Sequence, residues 1–218
     1  MRSAVVAGAT GLIGGHLVEL LLADSGYDRV TTLVRKQTPA KHPKLLQRVV
    51  DFDRLTEIPD FPVAEDAFCC LGTTIKEAGS QDAFYRVDFT YVLELARATS
   101  HQKAKQFLLV TALGADPKSR IFYNRVKGEI EQAVSQVPFA AIHVFQPSLL
   151  LGDRAESRPG ERAAMAASRV LGFAFVGPLR RYRPIAARDV ARAMVRVAKQ
   201  GASGRHVYPS DTIQALAR

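Results

Sequence analysis

Tyr123-Asn124-Arg125-Val126-Lys127 puts a phenol and an ammonium at i and i+4 near the start of a helical stretch, hence on one face. A cation beside a phenol favours the phenolate, drawing its pKa from the usual ~10 toward working pH, so the hydroxyl can exchange a proton with a carbonyl or an alcohol. The lysine can also hydrogen-bond a ribose. Thr111, at the end of the preceding apolar run, is expected to supply a second hydroxyl that orients the substrate oxygen. A lone Tyr-x-x-x-Lys also arises by chance on any exposed amphipathic helix. What lifts this one above chance is its order in the chain, after a glycine loop, four further strands and a strand-terminal Thr that a sheet brings to one edge.

That glycine loop is Gly8-Ala9-Thr10-Gly11-Leu12-Ile13-Gly14, entered from the β-branched run Ser3–Ala7 and followed by an amphipathic helix. Gly8 takes the bend off the strand, Gly11 lets backbone N–H groups approach a pyrophosphate, and Gly14 lets the helix pack close to the sheet. The helix N-terminus then faces the anion. Glycine triplets occur in ordinary turns, but a strand before and a helix after give the context a dinucleotide site requires.

Further apolar runs at 29–34, 47–50, 67–71, 106–111 and 140–145 alternate with helical patterns at about 81–99 and 122–136. Continuous apolar strands separated by helices predict a parallel sheet buried on both faces, an α/β doubly wound Rossmann fold of six strands. One domain spans 1–218, with 1–146 as the cofactor-binding core. Residues 147–218, punctuated by Pro147, Gly152, Pro159, Gly160, Gly172, Gly177, Pro178 and Pro184 and carrying one clear helix at about 188–199, are expected to form a small region over the substrate.

The second strand ends at Arg35-Lys36, where an NAD site usually carries an acid for the ribose 2′-hydroxyl. A guanidinium there pairs with a 2′-phosphate, so NADP(H) is expected over NAD. Asp51-Phe52 is placed to hydrogen-bond and cover an adenine. Leu71-Gly72-Thr73-Thr74 offers bare backbone and hydroxyls beside the cofactor's middle, although Gly and Thr after a strand are also ordinary turn chemistry.

Composition bounds the rest. The 218 residues are 47% hydrophobic and 23% charged, which suits one soluble globular domain. Arg2 and the apolar start do not make a secretory signal, because three glycines and Glu19 break the run, and no segment approaches a membrane span. Cys69 and Cys70 are adjacent in an apolar run and read as buried thiols, which with the missing signal points to the cytoplasm. The five histidines lack metal-ligand spacing, so no metal is expected. The net charge of +9 favours anionic partners, and Arg188, Arg192 and Arg196 form a basic stripe. Without interleaved aromatics or a nucleic-acid module, that stripe reads as a solvated helix face rather than a nucleic-acid site. His143, in an apolar strand, reads as an interior histidine, and Arg158 as either an anion contact or a loop residue.

The chain resembles the short-chain dehydrogenase/reductase superfamily in its extended or atypical branch. Gly8–Gly14, Tyr123-x-x-x-Lys127, Phe145-Gln146-Pro147-Ser148 and Ala187-Arg188-Asp189-Val190-Ala191 carry that likeness. More narrowly it is similar to the family of the human Tat-interacting oxidoreductase-like protein, through the stretches 69–74, 86–88, 114–116, 126–129 and 156–160. The resemblance implies NADP(H) held also by Gln146, Pro147 and Ser148, with Tyr123 as acid/base, Lys127 as its activator and Thr111 as the matching hydroxyl. Two departures stand out: Thr111-Ala112 replaces a serine pair, and Asp88 replaces a frequent Asn. The leading expectation is therefore an NADP(H)-dependent oxidoreductase reducing a small carbonyl substrate. The alternatives are an NADP(H)-sensing module that binds a protein partner without turnover, and an epimerase or dehydratase of sugar nucleotides. Two long helices beside the active-site strands leave a homodimer open.

Overall fold

The computed structural model describes residues 1–151 and 177–218. Its strands are β1 (Arg2–Ala7), β2 (Tyr27–Val34), β3 (Leu45–Val49), β4 (Asp66–Cys69), β5 (Gln106–Val110), β6 (Ala141–Gln146), the short β7 (Leu150–Leu151) and β8 (Ile185–Ala186), and β9 (Gly204–Pro209). Seven of them form one sheet in the order β3-β2-β1-β4-β5-β6-β9, parallel at every pairing. β7 and β8 pair separately. The chain runs outward in both directions from β1, so the strand order reverses between β1 and β4 and opens a crevice at their carboxyl ends.

Alternation along each strand dictates two cores. Val5 and Ala7 of β1 join one cluster with Phe107 and Leu109 of β5; Ala4 and Val6 join the other with Leu108 and Val110. The first face is covered by α4 (Tyr91–His101), through Val92, Leu95 and Ala96, and by α5 (Phe122–Val134), through Ile130 and Val134. The second is covered by α1 (Leu12–Ala23), through Leu17 and Leu21, and by α6 (Ala187–Gln200), whose Ala191, Ala193 and Ala198 allow close approach. Smaller helices are α2 (Ile75–Ala78), α3 (Gln81–Tyr85) and α7 (Ser210–Leu216).

At the amino ends of the strands one carboxylate gathers four of them. Asp66 of β4 accepts from Arg2 of β1 at 2.6 and 2.9 Å, from the Tyr27 hydroxyl of β2 at 2.6 Å and from Gln106 of β5 at 2.7 Å. Burial, reinforced by Asp66, pushes the Tyr27 phenol far above its ordinary value.

The six expected strands are present within a few residues of their expected bounds. A seventh, β9, was not anticipated and comes from the region expected only to cover substrate. The helix expected over 81–99 is α3 and α4 joined by a π-helical turn at Arg86–Thr90. Arg188, Arg192 and Arg196 are exposed, with Arg192 on Asp189 at 3.3 Å and Arg196 on the Leu216 carbonyl at 2.8 Å, as a solvated face would have it. His143 is fully buried, and burial lowers its pKa to about 4. Arg158 and the stretch 156–160, with Gly152, Pro159 and Gly172, lie outside the described residues.

Candidate functional site

Gly8 turns off β1 at φ +81, and a Cβ there would lie 2.4 Å from the Cys70 carbonyl oxygen. A Cβ on Gly14 would lie 2.0 Å from the Gly8 carbonyl oxygen. Neither position has room for a methyl group, so α1 meets the sheet as closely as backbones allow. Gly11 is the N-cap of α1 with extended backbone, makes no side-chain cap, and is followed by no acid in the first turn. The first amide N–H groups and the positive end of the helix dipole are therefore uncompensated, which fits a pyrophosphate.

A cleft of about 1520 Å³ opens from this turn. It is lined by Gly8, Thr10, Gly11, Arg35, Lys36, Asp51, Phe52, Leu71, Gly72 and Thr73, which brings together the glycine loop and the ends of β2, β3 and β4. Arg35 and Lys36 stand exposed at its rim. Several expected contacts are already engaged within the protein. Ile13 is in the core with the half-buried Ala9 and Leu12 packed against it, and none of the three lines the cleft. The Thr74 hydroxyl caps α2 by accepting the Glu77 amide at 3.1 Å. Asp51 accepts the Asp53 amide at 2.9 Å. Arg86 and Tyr91 line the cleft and were not anticipated. Arg86 lies 3.7 Å from Asp53, and the Tyr91 ring is 5.7 Å from that of Phe52. They come from the turn after α3 and from α4, beyond any local motif.

Tyr123 and Lys127 adjoin the far side of the β4 loop. Lys127 is buried, and its Nζ lies 5.9 Å from the Tyr123 ring centre and 3.7 Å from where a Gly72 Cβ would stand. Its partner is Asp88 at 2.7 Å, also buried. Asp88 accepts the Thr73 amide N–H with its other oxygen at 2.9 Å. Burial opposes the Lys127 charge, but Asp88, Tyr123 and Cys69 outweigh it and raise the lysine pKa. Burial raises that of Asp88, with Lys127 and the Thr73 amide acting against it. The Tyr123 ring packs on Phe84 at 5.5 Å between centres. The Cys69 thiol is pushed up by burial to about 12, so it stays an inert thiol.

Thr111 departs from expectation. It is buried, and its hydroxyl donates to Glu131 at 2.6 Å rather than pointing toward a substrate. Glu131 also accepts from Gln146 at 2.9 and 3.1 Å, and burial raises its pKa. Gln146 is thus turned to α5. The Pro147 carbonyl accepts the Leu113 amide at 2.9 Å, and Ser148 bonds Ser210 at 2.9 Å and the Arg183 carbonyl. None of these three lines the described cleft. Thr111 and Gln146–Ser148 therefore brace the wall beside the pair.

Residues 4–119 match the NAD dependent epimerase/dehydratase family. Protein HTATIP2 of Rattus norvegicus is 40% identical over 164 residues, covering 73% of this chain and 67% of that protein. Protein fmp52, mitochondrial, of Emericella nidulans is 33% identical over 184 residues, covering 79% and 77%. Among solved structures, the Bordetella bronchiseptica enzyme WbmH in complex with NAD+ superposes with TM-score 0.69 at 17% identity, over 100% of this chain and 79% of that one. Human epimerase family protein SDR39U1 with NADPH gives 0.64 at 19%, over 94% and 73%. The expectation of a cytoplasmic protein is overturned by the fungal relatives, which are named as mitochondrial. Of the two thiols expected to be buried, Cys69 is buried and Cys70 is half-buried at the cleft wall; free thiols suit any reducing compartment and could not tell the two apart. Among the described residues no helix is long and apolar enough to cross a membrane. With its glycine turn, switch-point cleft and buried Lys127 beside Tyr123, the chain belongs to the NAD dependent epimerase/dehydratase family, of the extended short-chain dehydrogenase/reductase type.

Proposed function

We propose that this protein binds NADP(H) in the cleft and reduces a small carbonyl compound, with Tyr123 as the proton donor. The observation that carries this reading is the place of Lys127: one buried ammonium adjoins both the Gly72 backbone at the cleft wall and the face of the Tyr123 ring. Arg35 and Lys36 at the rim suit a 2′-phosphate, the α1 amides suit the pyrophosphate, and Phe52 with Asp51 suits the adenine. When bound, the nicotinamide supplies hydride to the substrate carbon. Tyr123 gives its hydroxyl proton to the carbonyl oxygen as the C–O double bond becomes single, and water returns a proton to the phenolate. Lys127 steadies that phenolate while it lasts. Phe84 keeps the ring from swinging away.

A second reading is favoured by two specific contacts. Asp88 balances the Lys127 charge, and Thr111 directs its proton to Glu131, so the usual helpers of proton transfer are already engaged. In that reading NADP(H) occupancy controls a protein partner and nothing is transformed.

Replacing Tyr123 by Phe separates the readings. The reductase reading expects NADPH oxidation on a responsive carbonyl to fall roughly 10²–10⁴-fold, the usual contribution of a positioned proton donor, with NADPH affinity unchanged. A broad carbonyl panel on which the unsubstituted protein turns nothing over, although NADPH binds, moves the conclusion to the second reading.

A further inference from the structure

Asp88 is a buried acid that neither the glycine loop nor the Tyr-Lys pair requires, yet it touches both ends of the site. One oxygen holds the Lys127 ammonium at 2.7 Å and the other holds the Thr73 amide at 2.9 Å. The ion pair lies directly beneath Gly72, whose absent side chain would meet Asp88 at 3.5 Å and Lys127 at 3.7 Å. A π-helical turn carries it there. Asp88 is the sole buried residue of the π-helical turn Arg86–Thr90, and such insertions in helices are uncommon and frequent at functional sites. An acid kept at 1% exposure is costly to bury unless paired, so the turn, the acid and the lysine stand or fall together.

We propose that Asp88 is a positioning residue of this site: it locks the cleft loop after β4 to the helix carrying Tyr123 and balances the Lys127 charge, so that Tyr123 remains a proton donor suited to carbonyl reduction. This rests on the proposed function only for the direction of the reaction; the charge balance stands without it. The groups facing Lys127 are Asp88 from the π turn, Cys69 from β4, and Tyr123 on its own helix. Glu131, one turn further along α5, also feels Lys127 and is partly offset by Arg205 of β9 at 3.8 Å. Cys69 is neutral near pH 7, since its thiol is pushed up to about 12. Asp88 is therefore the charge in direct contact with the ammonium. With it present, the ammonium does less to draw the proton from Tyr123. With an amide in its place, the ammonium acts on the phenol unopposed.

A charge cycle tests this without requiring turnover. The Tyr123 signal is isolated as the ultraviolet tyrosinate difference between each protein and its Tyr123→Phe partner, titrated with pH in four backgrounds: unsubstituted, Asp88→Asn, Lys127→Met and the double variant. The Tyr123 midpoint is expected to move down by about one pH unit or more in Asp88→Asn and up by a similar amount in Lys127→Met, with near-restoration in the double variant, one unit being tenfold in proton affinity. A merely structural role would not give opposite signs that cancel. If Asp88→Asn strands the ammonium and unfolds, the uncharged double variant is expected to regain the fold, and the Lys127→Met and double midpoints carry the comparison. A midpoint unmoved by removing Asp88, in either background, overturns the proposal. Should no carbonyl be reduced, the cycle still reads the charge balance, so failure of the proposed activity is distinguished from failure of this inference.

Discussion

Replacing Arg35 by Ser tests the choice of dinucleotide most directly. Arg35 follows Val34 at the end of β2, stands exposed at the cleft rim, and has no ion-pair partner among the described residues. Its guanidinium is therefore available to an incoming phosphate. A hydrogen bond to a charged group contributes about 1.5–3 kcal/mol when well made. Exposure at a rim screens the pair, which favours the lower part of that range. At ~1.4 kcal/mol per factor of ten, Arg35→Ser should weaken NADPH binding about ten- to thirtyfold. Lys36 remains as a point charge, so the loss is incomplete, and Arg35→Asp should exceed it by like-charge repulsion. NADH has no phosphate to lose and should bind within about threefold of its original affinity. The assay is a nucleotide fluorescence titration of both proteins with both cofactors at fixed salt, repeated at higher salt. There the NADPH preference should shrink in the unsubstituted protein and barely change in the variant. Equal losses for NADPH and NADH would refute the reasoning, because they would make Arg35 a general contact rather than a reader of the 2′ position.

Two further outcomes are expected. Gly14→Ala forces a methyl group within 2.0 Å of the Gly8 oxygen and should cost about 1–3 kcal/mol in urea unfolding as well as tenfold or more in NADPH affinity. Gly15→Ala, whose nearest neighbour is at 3.8 Å, should do neither. The His143 pKa is lowered from 6.5 to about 4 by burial, with His206 acting in the same direction, so the unfolded chain takes up the proton first. Stability carried by this group is present above pH 6.5 and lost as pH falls toward 4, amounting to about 3 kcal/mol at ~1.4 kcal/mol per unit. Urea midpoints at pH 7 and 4.5 should therefore differ less in His143→Gln than in the unsubstituted protein, and an identical difference would remove His143 from the acid response.

Much of this was legible because it is local. The run Ala4–Ala7, the glycine spacing and the Tyr123/Lys127 interval are short-range patterns fixed by backbone geometry, and they gave the doubly wound sheet and the cleft. What was hidden depends on distant partners. Arg205-His206-Val207-Tyr208 is half-exposed at a sheet edge, so β9 lacks the continuous apolar character of the inner strands. Glu131 has the look of a surface acid on an amphipathic helix until the fold places Thr111 and Gln146 against it. The π turn changes hydrogen-bond register without any distinctive residue type, so a regular helical pattern covered it. Asp88 was visible only as an unusual substitution, and its link to Lys127 needed coordinates.

The Asp66 cluster has a consequence for how faithfully the site is assembled. Inner strands that are apolar on both faces could slide by one residue and exchange one apolar side chain for another, so hydrophobicity alone hardly distinguishes one alignment from the next. A buried carboxylate that must meet Arg2, Tyr27 and Gln106 together admits a single alignment of four strands. One step of slippage would shift a strand by ~3.3 Å. Carried to the opposite end of the sheet, that step would part the glycine turn from the loop beneath which Lys127 lies. A polar knot remote from any ligand thus serves as the alignment key for the ligand site.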